Sequence, residues 1–331
     1  MNSVNRLLSI VVPAYNASNY IDDFFSCVEA QCTCGFEVIV VDDGSNDDTY
    51  QRLLNHQPFA KDYKLLVIHQ ENMGQNGARL RGLKEASGKY IWFVDIDDLF
   101  VPDAITQIKG MLQWGAFPDC VLFSIERLQK DGKTIHEKKL FPDRKLFYGD
   151  EIKQVLSIAI GTSKLNSLCS KVFSRSELLR LIEDVAKIPS LRYGEDFVIS
   201  SLFLENAATI LYDPSPIYIY RDISSSVMHD AVSKKMLYDS NEVFRIKNDM
   251  ASRLKIDFSR ELLAFSGSEV CGFVRRILYS KYSFLKKKEL FCLLFSSDFF
   301  LYAKNNRYKG NTLKRRLAFS LARAYSAVLC K

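Results

Sequence analysis

No run of about 18 apolar residues occurs in this sequence, which excludes a helix that crosses a bilayer. The densest apolar stretch, LFCLLFSS at 290–297, is too short. The opening stretch MNSVNRLLSIVVPAYN has only a brief apolar run leading into polar residues, so no secretory signal is read there. Glycine is missing from the segment VPAYN that follows the first apolar run. This excludes a G-x-G-x-x-G dinucleotide loop at that place, and no G-x-x-x-x-G-K-[ST] phosphate loop exists anywhere. The eight cysteines form no C-x-x-C pair, and Cys32 and Cys34 stand too close for the usual zinc spacing. They read as reduced thiols of a cytosolic protein. The four histidines make neither H-x-x-x-H nor H-E-x-x-H. His56 and His136 read as surface residues. Internal repeats and low-complexity linkers are also missing.

What remains is an ordinary globular composition: 331 residues, 47% hydrophobic and 25% charged. This is enough chain for one large domain with an appendage, or for two domains. The net charge of +6 is unevenly placed. Residues 271–331 carry 14 Lys and Arg against 2 Asp and Glu, a net of +12, and the rest carries 31 against 37. A basic tail of this kind is suited to an anionic surface.

Over the first hundred residues, short Val- and Ile-rich runs at 7–12, 37–41, 64–69 and 90–94 read as strands buried on both faces. Helical patterns lie between them. Ile21, Phe24, Phe25 and Val28 share one helical face, with Ser18 as N-cap. SNDDTYQRLLNH opens with capping residues, and GQNGARLRGLKEASG stops at Gly88. Alternating strands and helices imply βαβ units and a mostly parallel sheet. Further on, 119–125, 208–213 and 216–220 read as strands, and IKQVLSIAI and SELLRLIEDVA as helices. Beyond about 230 the chain reads as helical and basic. Leu313, Leu317, Leu321, Tyr325 and Val328 share a face in its last segment.

Ligands of parallel α/β sheets bind at the carboxyl ends of the strands. The residues that follow the first four strands are Pro13-Ala14-Tyr15-Asn16, Asp42-Asp43-Gly44-Ser45, Gln70-Glu71-Asn72-Met73-Gly74 and Asp95-Ile96-Asp97-Asp98. Acids therefore collect at one sheet edge. Without a glycine-rich loop, a phosphate must be neutralised in another way. Two carboxylates at a strand end, Asp95 and Asp97, can hold Mn²⁺ or Mg²⁺ with positions left open for diphosphate oxygens. A solvated acidic turn is the plainer alternative for an isolated D-x-D.

In order and spacing, SIVVPAYNASNYI (9–21), EVIVVDDGSNDDT (37–49), ENMGQNGARLRGLKEASGKYIWFVDIDD (71–98), RYGEDF (192–197) and PIYIYRDISSSV (216–227) resemble family 2 of the inverting glycosyltransferases. The resemblance covers about residues 7–227. It implies the GT-A fold, a Rossmann-like α/β architecture with a mixed, mostly parallel central sheet flanked by helices. Here a C-terminal helical appendage is added.

By the same resemblance, Tyr15 packs on the nucleobase, with Pro13 beside it among the donor-binding residues. Asp43 and Asp42 hydrogen-bond base and ribose, or else cap the following helix. Arg79 contacts base or phosphate, or else is a solvated helix charge. Leu80 departs from the family here, where asparagine is common. Asp97 is the stronger metal ligand, Asp95 contacts ribose or metal, and Asp98 orients the turn. Arg221 reaches for the diphosphate, or else is a strand-end charge. Asp196 matches the catalytic base that takes the acceptor's proton, with Glu195 the neighbour most easily confused with it. The plainer alternative for this pair is a helix N-terminus carrying favourable acids.

The expected division is a catalytic domain over residues 1–230, with the nucleotide-sugar side at about 1–100 and the acceptor side at 101–230, followed by a basic helical region at 231–331. The expected partners are a nucleotide-sugar donor, UDP-linked on family grounds, and a glycan or lipid-linked acceptor. The pathway is a bacterial surface polysaccharide such as capsule or lipopolysaccharide. The C-terminal helices would rest on the anionic inner face of the plasma membrane. Nucleic acid is not expected as a partner, and room is left for a homo-oligomer. A non-catalytic nucleotide-sugar binder or assembly protein is the alternative. A nucleotidyltransferase would need a glycine-rich, basic loop where VPAYN stands.

Overall fold

The computed structural model describes residues 6–56, 63–183, 191–222, 231–310, 315–316 and 318–322. The chain divides into two compact units. The first comprises residues 1–152, 167–187 and 206–223, and the second 153–166, 188–205 and 224–331. The stretches 153–166 and 188–205, expected with the catalytic domain, thus group with the C-terminal helices.

The first unit is built on one sheet. Its strands are β1 (Leu8–Ala14), β2 (Phe36–Asp42), β3 (Tyr63–His69), β4 (Tyr90–Phe93), β5 (Leu99–Phe100), β6 (Cys120–Leu128), β7 (Thr134–His136), β8 (Lys145–Tyr148), β9 (Lys171–Ser174) and β10 (Thr209–Arg221). The order is β3-β2-β1-β4-β9-β6-β10-β5, with β7 beside β6 and β8 beside β10. The pairs among β1, β2, β3 and β4 are parallel, as is β6 with β10. β9 is antiparallel to both β4 and β6, so it lies reversed between the two parallel blocks.

β1, β2 and β4 are buried along their whole length, as continuous apolar runs dictate for strands covered on both faces. β3 is half-exposed despite a similar run, because it lies at the end of the strand order. The two runs at 208–213 and 216–220 are one strand, β10, with register shifts between Asp213 and Tyr218 where the Pro-Ser-Pro segment interrupts the ladder.

Helix α1 (Ile21–Glu29) buries the four residues of its expected face. Each contributes about 1.5–3 kcal/mol by leaving water. Ser18 is not its cap: Ser18–Tyr20 form a 3₁₀ turn, and Tyr20 occupies the cap position without a side-chain bond. α2 (Thr49–Asn55) buries Leu53 and leaves Leu54 exposed. α3 (Gly74–Glu85) ends three residues before Gly88. Gly88 is needed for a different reason: a Cβ there would lie 2.7 Å from the backbone nitrogen of Ser9. His56 is no surface histidine. Its ring stacks on Phe25 at 3.5 Å between centroids, and burial lowers its pKa. α4 (Ala104–Trp114) packs Ile105, Ile108, Met111 and Leu112 into the same core.

The second unit is helical. α5 (Ile152–Gly161) belongs to it apart from its first residue. α6 (Arg175–Arg180), which opens the expected SELLRLIEDVA helix, lies in the first unit; 184–186 of that stretch lie outside the described residues. The remaining helices are α7 (Glu195–Asn206), α8 (Lys234–Leu254), α9 (Ser259–Tyr279), α10 (Phe284–Ser296) and α11 (Asp298–Asn305). Among the described residues, no helix is long and apolar enough to cross a membrane, and no strand follows β10. Leu321 is exposed. Leu313, Leu317, Tyr325 and Val328 lie outside the described residues, as do 223–227.

Candidate functional site

The carboxyl ends of β1, β2 and β4 converge, because the three strands are adjacent and parallel. The Asp43 amide donates to the Ala14 carbonyl at 2.8 Å, and the Gln70 amide to the Asp42 carbonyl at 3.0 Å, so the loops begin in register. Side chains then tie the first two loops together. The Asn16 amide donates to Ser45 Oγ, the Asn46 amide to Asn16 Oδ1, and the Ala17 amide to Thr49 Oγ1. Asn16 is left-handed (φ 49°), a conformation asparagine tolerates better than most residues. Gly44 also has positive φ (72°), and a Cβ there would lie 2.9 Å from the Asn72 nitrogen.

The D-x-D turn follows β4. Arg79, buried on α3, places Nη2 3.0 Å from Asp95 Oδ1, and Gln75 Nε2 donates to the same oxygen at 2.9 Å. Arg79 is therefore neither a solvated helix charge nor a free reach toward solvent; it is an arm that holds Asp95. Asp98 orients the turn, as expected, by bonding to the far strand. Its Oδ2 accepts from the Tyr218 hydroxyl at 2.6 Å, and its Oδ1 accepts from the Arg221 amide at 2.8 Å. The Tyr218 hydroxyl also accepts from the Asp95 amide at 3.1 Å. Arg221 donates through Nε to the Asp97 carbonyl. It pairs through Nη1 with Asp23 at 2.5 Å and lies over the Tyr20 ring at 5.4 Å. Arg221 is thus more than a loose strand-end charge.

Crowded carboxylates in a buried turn resist ionisation. Burial first, then repulsion from Asp95, pushes Asp97 up to about 6. Burial and both neighbouring acids push Asp98 up to about 8, against the opposing pull of the Tyr218 and Arg221 donors. This negative field suits a divalent cation, whose hard oxygen ligands Asp95 and Asp97 would supply. Among the described residues no group of three or more His, Cys, Asp or Glu side chains is placed to hold a metal by itself.

Toward β2 and β3, Asp43 Oδ1 accepts from Gln70 Nε2 at 2.7 Å and from the Met73 amide at 2.8 Å. It shapes the loop after β3 and caps no helix on its own side. Asp42 is fully buried, with Oδ2 2.6 Å from His69 Nδ1 and Oδ1 buried without a donor. The His69 ring packs against Tyr50 at 4.6 Å. Tyr15 is half-exposed, open for stacking. Pro13 and Ala14 belong to β1 itself and are buried. Pairing with β4 ends at Val11, so the missing N–H of Pro13 falls where β4 has already diverged. Tyr218, Asp23, Gln75 and His69 were not picked out from the sequence. Tyr218 carries no local signal: its neighbour Ile217 is equally buried, and Pro216 and Tyr220, which share its phase, are not buried.

In the second unit, Glu195 and Asp196 fill the first turn of α7. The preceding turn is clamped from α8. Asp239, buried, accepts the Arg192 and Tyr193 amides on Oδ2 at 3.0 and 3.3 Å, and Lys235 on Oδ1 at 2.7 Å. Gly194 has φ +87°, and a Cβ there would lie 2.6 Å from Val243. Lys247 rests over the Phe197 ring at 3.8 Å and caps the end of α5 through the Ala159 and Thr162 carbonyls. Asp239, Val243 and Lys247 recur every four residues, one face of α8.

Residues 9–171 match the model described as glycosyl transferase family 2. The uncharacterized glycosyltransferase YibD of Escherichia coli K12 is 37% identical over 115 residues, covering 34% of this chain and 31% of YibD. The chain thus spans about a third of that relative. The putative teichuronic acid biosynthesis glycosyltransferase TuaG of Bacillus subtilis is 30% identical over 158 residues, 47% of this chain and 61% of TuaG. The structure of S. aureus TarS 1–349 in complex with UDP-GlcNAc superposes with a TM-score of 0.71 at 19% identity, covering 98% of this chain and 89% of that one. The shared architecture is the GT-A-type mixed, mostly parallel sheet with flanking helices and a helical C-terminal region.

Proposed function

Because the chain carries a family 2 glycosyltransferase domain over residues 9–171, we propose that it moves a sugar from a UDP-linked donor to a hydroxyl of a glycan or lipid-linked acceptor, with inversion. The observation that carries this reading is the braced D-x-D turn. Asp95 is held by Arg79 and Gln75, and Asp98 is locked to β10 by Tyr218.

Asp95 and Asp97 would hold Mn²⁺ or Mg²⁺, which when bound would supply counter-charge for a leaving diphosphate, and Arg79 fixes the Asp95 carboxylate in place. Tyr15, half-exposed, offers a ring face to the base, and the Asp42–Asp43 pair closes β2 in the neighbouring loop. Arg221 adds positive charge beside the turn. Asp196 accepts the acceptor hydroxyl's proton as that oxygen bonds to the anomeric carbon and the carbon–diphosphate oxygen bond breaks.

TuaG's name and the UDP-GlcNAc in the TarS structure support a polymer acceptor and a UDP donor for this chain. The intact set Asp95, Asp97 and Asp196 favours an enzyme over a mere binder. The net charge of +12 over residues 271–331 supports a seat for the protein on the anionic inner face of the plasma membrane.

The test is Asp196→Asn, nearly isosteric but unable to take the proton. Turnover is expected to fall ~10²–10⁴-fold with donor affinity kept. Donor binding that collapses in calorimetry together with turnover would make Asp196 a binding residue and sink the base assignment.

A further inference from the structure

The three most exposed large hydrophobic side chains among the described residues lie within seven positions of one another. Tyr279 is 85% exposed, Phe284 75% and Leu285 75%. They flank the turn between α9 and α10. Single exposed apolar residues need no explanation, but this group is held out by construction. Ser283 caps α10, its Oγ accepting from the Lys286 amide at 3.3 Å, which sets Phe284 and Leu285 on the first helical turn. Lys287 Nζ donates to the Leu278 carbonyl at 2.9 Å and closes the turn. The hydroxyl of Tyr282 donates to the Val232 carbonyl at 2.9 Å. Behind the tip, Ile277, Leu290 and Phe291 are buried.

Cations outnumber acids around the tip. Residues 270–289 contain Arg275, Arg276, Lys281, Lys286, Lys287 and Lys288 against one acid, Glu289, which pairs with Lys286 at 2.8 Å and with Lys234. Arg275, Lys281 and Lys288 are exposed. A second copy meeting this face would bring cations against cations. An anionic bilayer instead offers lipid phosphates to the fringe and an acyl boundary to the three apolar side chains, the pattern of an interfacial anchor.

We propose that the α9–α10 turn, residues 279–288, is the point at which this protein inserts into an anionic membrane surface. This rests on the membrane reading above and is independent of the sugar chemistry. It also differs from an anchor formed by residues 311–331.

Full-length protein is sedimented with vesicles of phosphatidylcholine alone or mixed equally with phosphatidylglycerol. Wild type is expected to bind only the mixed vesicles and to be released by salt. Phe284→Ser with Leu285→Ser should weaken binding at least about tenfold, and each of Lys281→Gln and Lys288→Gln about fivefold, since a cation near the surface contributes about 1 kcal/mol. Replacing Lys314, Arg323 and Lys331 by Gln in the full chain should leave binding in place. These positions are exposed, so thermal unfolding should match wild type. A Phe284→Trp variant should shift its fluorescence to the blue on mixed vesicles. Tip variants that bind like wild type would overturn the tip while the membrane reading stands. Wild type that ignores the mixed vesicles would overturn both. Wild type that self-associates through the tip, with variants becoming monomeric and vesicle binding unchanged, would assign the face to a second copy instead.

Discussion

Tyr218→Phe removes one oxygen from the centre of the site. The buried hydroxyl donates to Asp98 Oδ2 at 2.6 Å and accepts from the Asp95 amide at 3.1 Å, joining residues 120 and 123 positions apart. Phenylalanine keeps the ring against Trp92, 6.1 Å between centroids, so packing is retained. Two buried polar groups are left short of a partner, each worth ~1–3 kcal/mol. Burial and the neighbouring acids raise Asp98 well above the usual carboxylate range, which weakens charge assistance in its bond to the tyrosine, so the lower part of that range applies. The expected loss is ~2–3 kcal/mol. Both tryptophans, Trp92 and Trp114, lie in the sheet unit, so urea unfolding followed by tryptophan fluorescence reads the right transition. Tyr148→Phe, in the same unit and exposed, should change stability by less than ~0.5 kcal/mol. Combining Tyr218→Phe with Asp98→Ala should show a coupling of ~1 kcal/mol or more. A Tyr218→Phe loss no larger than the Tyr148→Phe control, or strict additivity with Asp98→Ala, would refute the bridge.

Arg79→Ala should destabilise the sheet unit by ~3–5 kcal/mol, because it strands a partly buried Asp95; the same urea series reads it, and Arg79→Lys should recover only part. Asp239→Asn should speed hydrogen exchange at the Arg192 and Tyr193 amides and slow turnover while leaving donor affinity intact; unchanged exchange there would show that the clamp does not hold the turn. Lys247 is lowered from 10.5 to about 7 by burial, against the opposing pull of Glu269. Between those values the unfolded chain binds a proton that the folded chain does not, so this group makes stability rise with pH, by up to ~1.4 kcal/mol per unit. Far-ultraviolet circular dichroism of Lys247→Met should show that rise removed across pH 7–10; identical pH slopes in both proteins would contradict it.

The parts of the fold readable from sequence are those where local pattern and burial coincide. The apolar runs of β1, β2 and β4 and the four-residue face of α1 signal their burial directly. D-x-D after a buried strand marks the site because strand ends in parallel sheets are where ligands meet. What escaped depends on contacts distant in sequence. β9 is four residues long and is a strand only because β4 and β6 flank it. Gly88 resembles a helix stop, but its need is the close approach of Ser9. Arg79 reads as a helix-surface charge until Asp95 is placed beside it. Asp239 and Lys247 are ordinary polar positions in a helical pattern. Their work on residues 192–197 appears only when α8 is set against α7 and α5.

The central claim is that this chain splits a nucleotide-sugar at a metal held by Asp95 and Asp97. Nucleotide release from a panel of UDP-, GDP- and TDP-sugars, with Mn²⁺ or Mg²⁺ and with excess EDTA, tests it most directly. The account predicts metal-dependent release from a UDP-sugar, lost in EDTA and lost in Asp97→Ala, whose fold should persist by circular dichroism. Undiminished release in EDTA, or from Asp97→Ala, would contradict it.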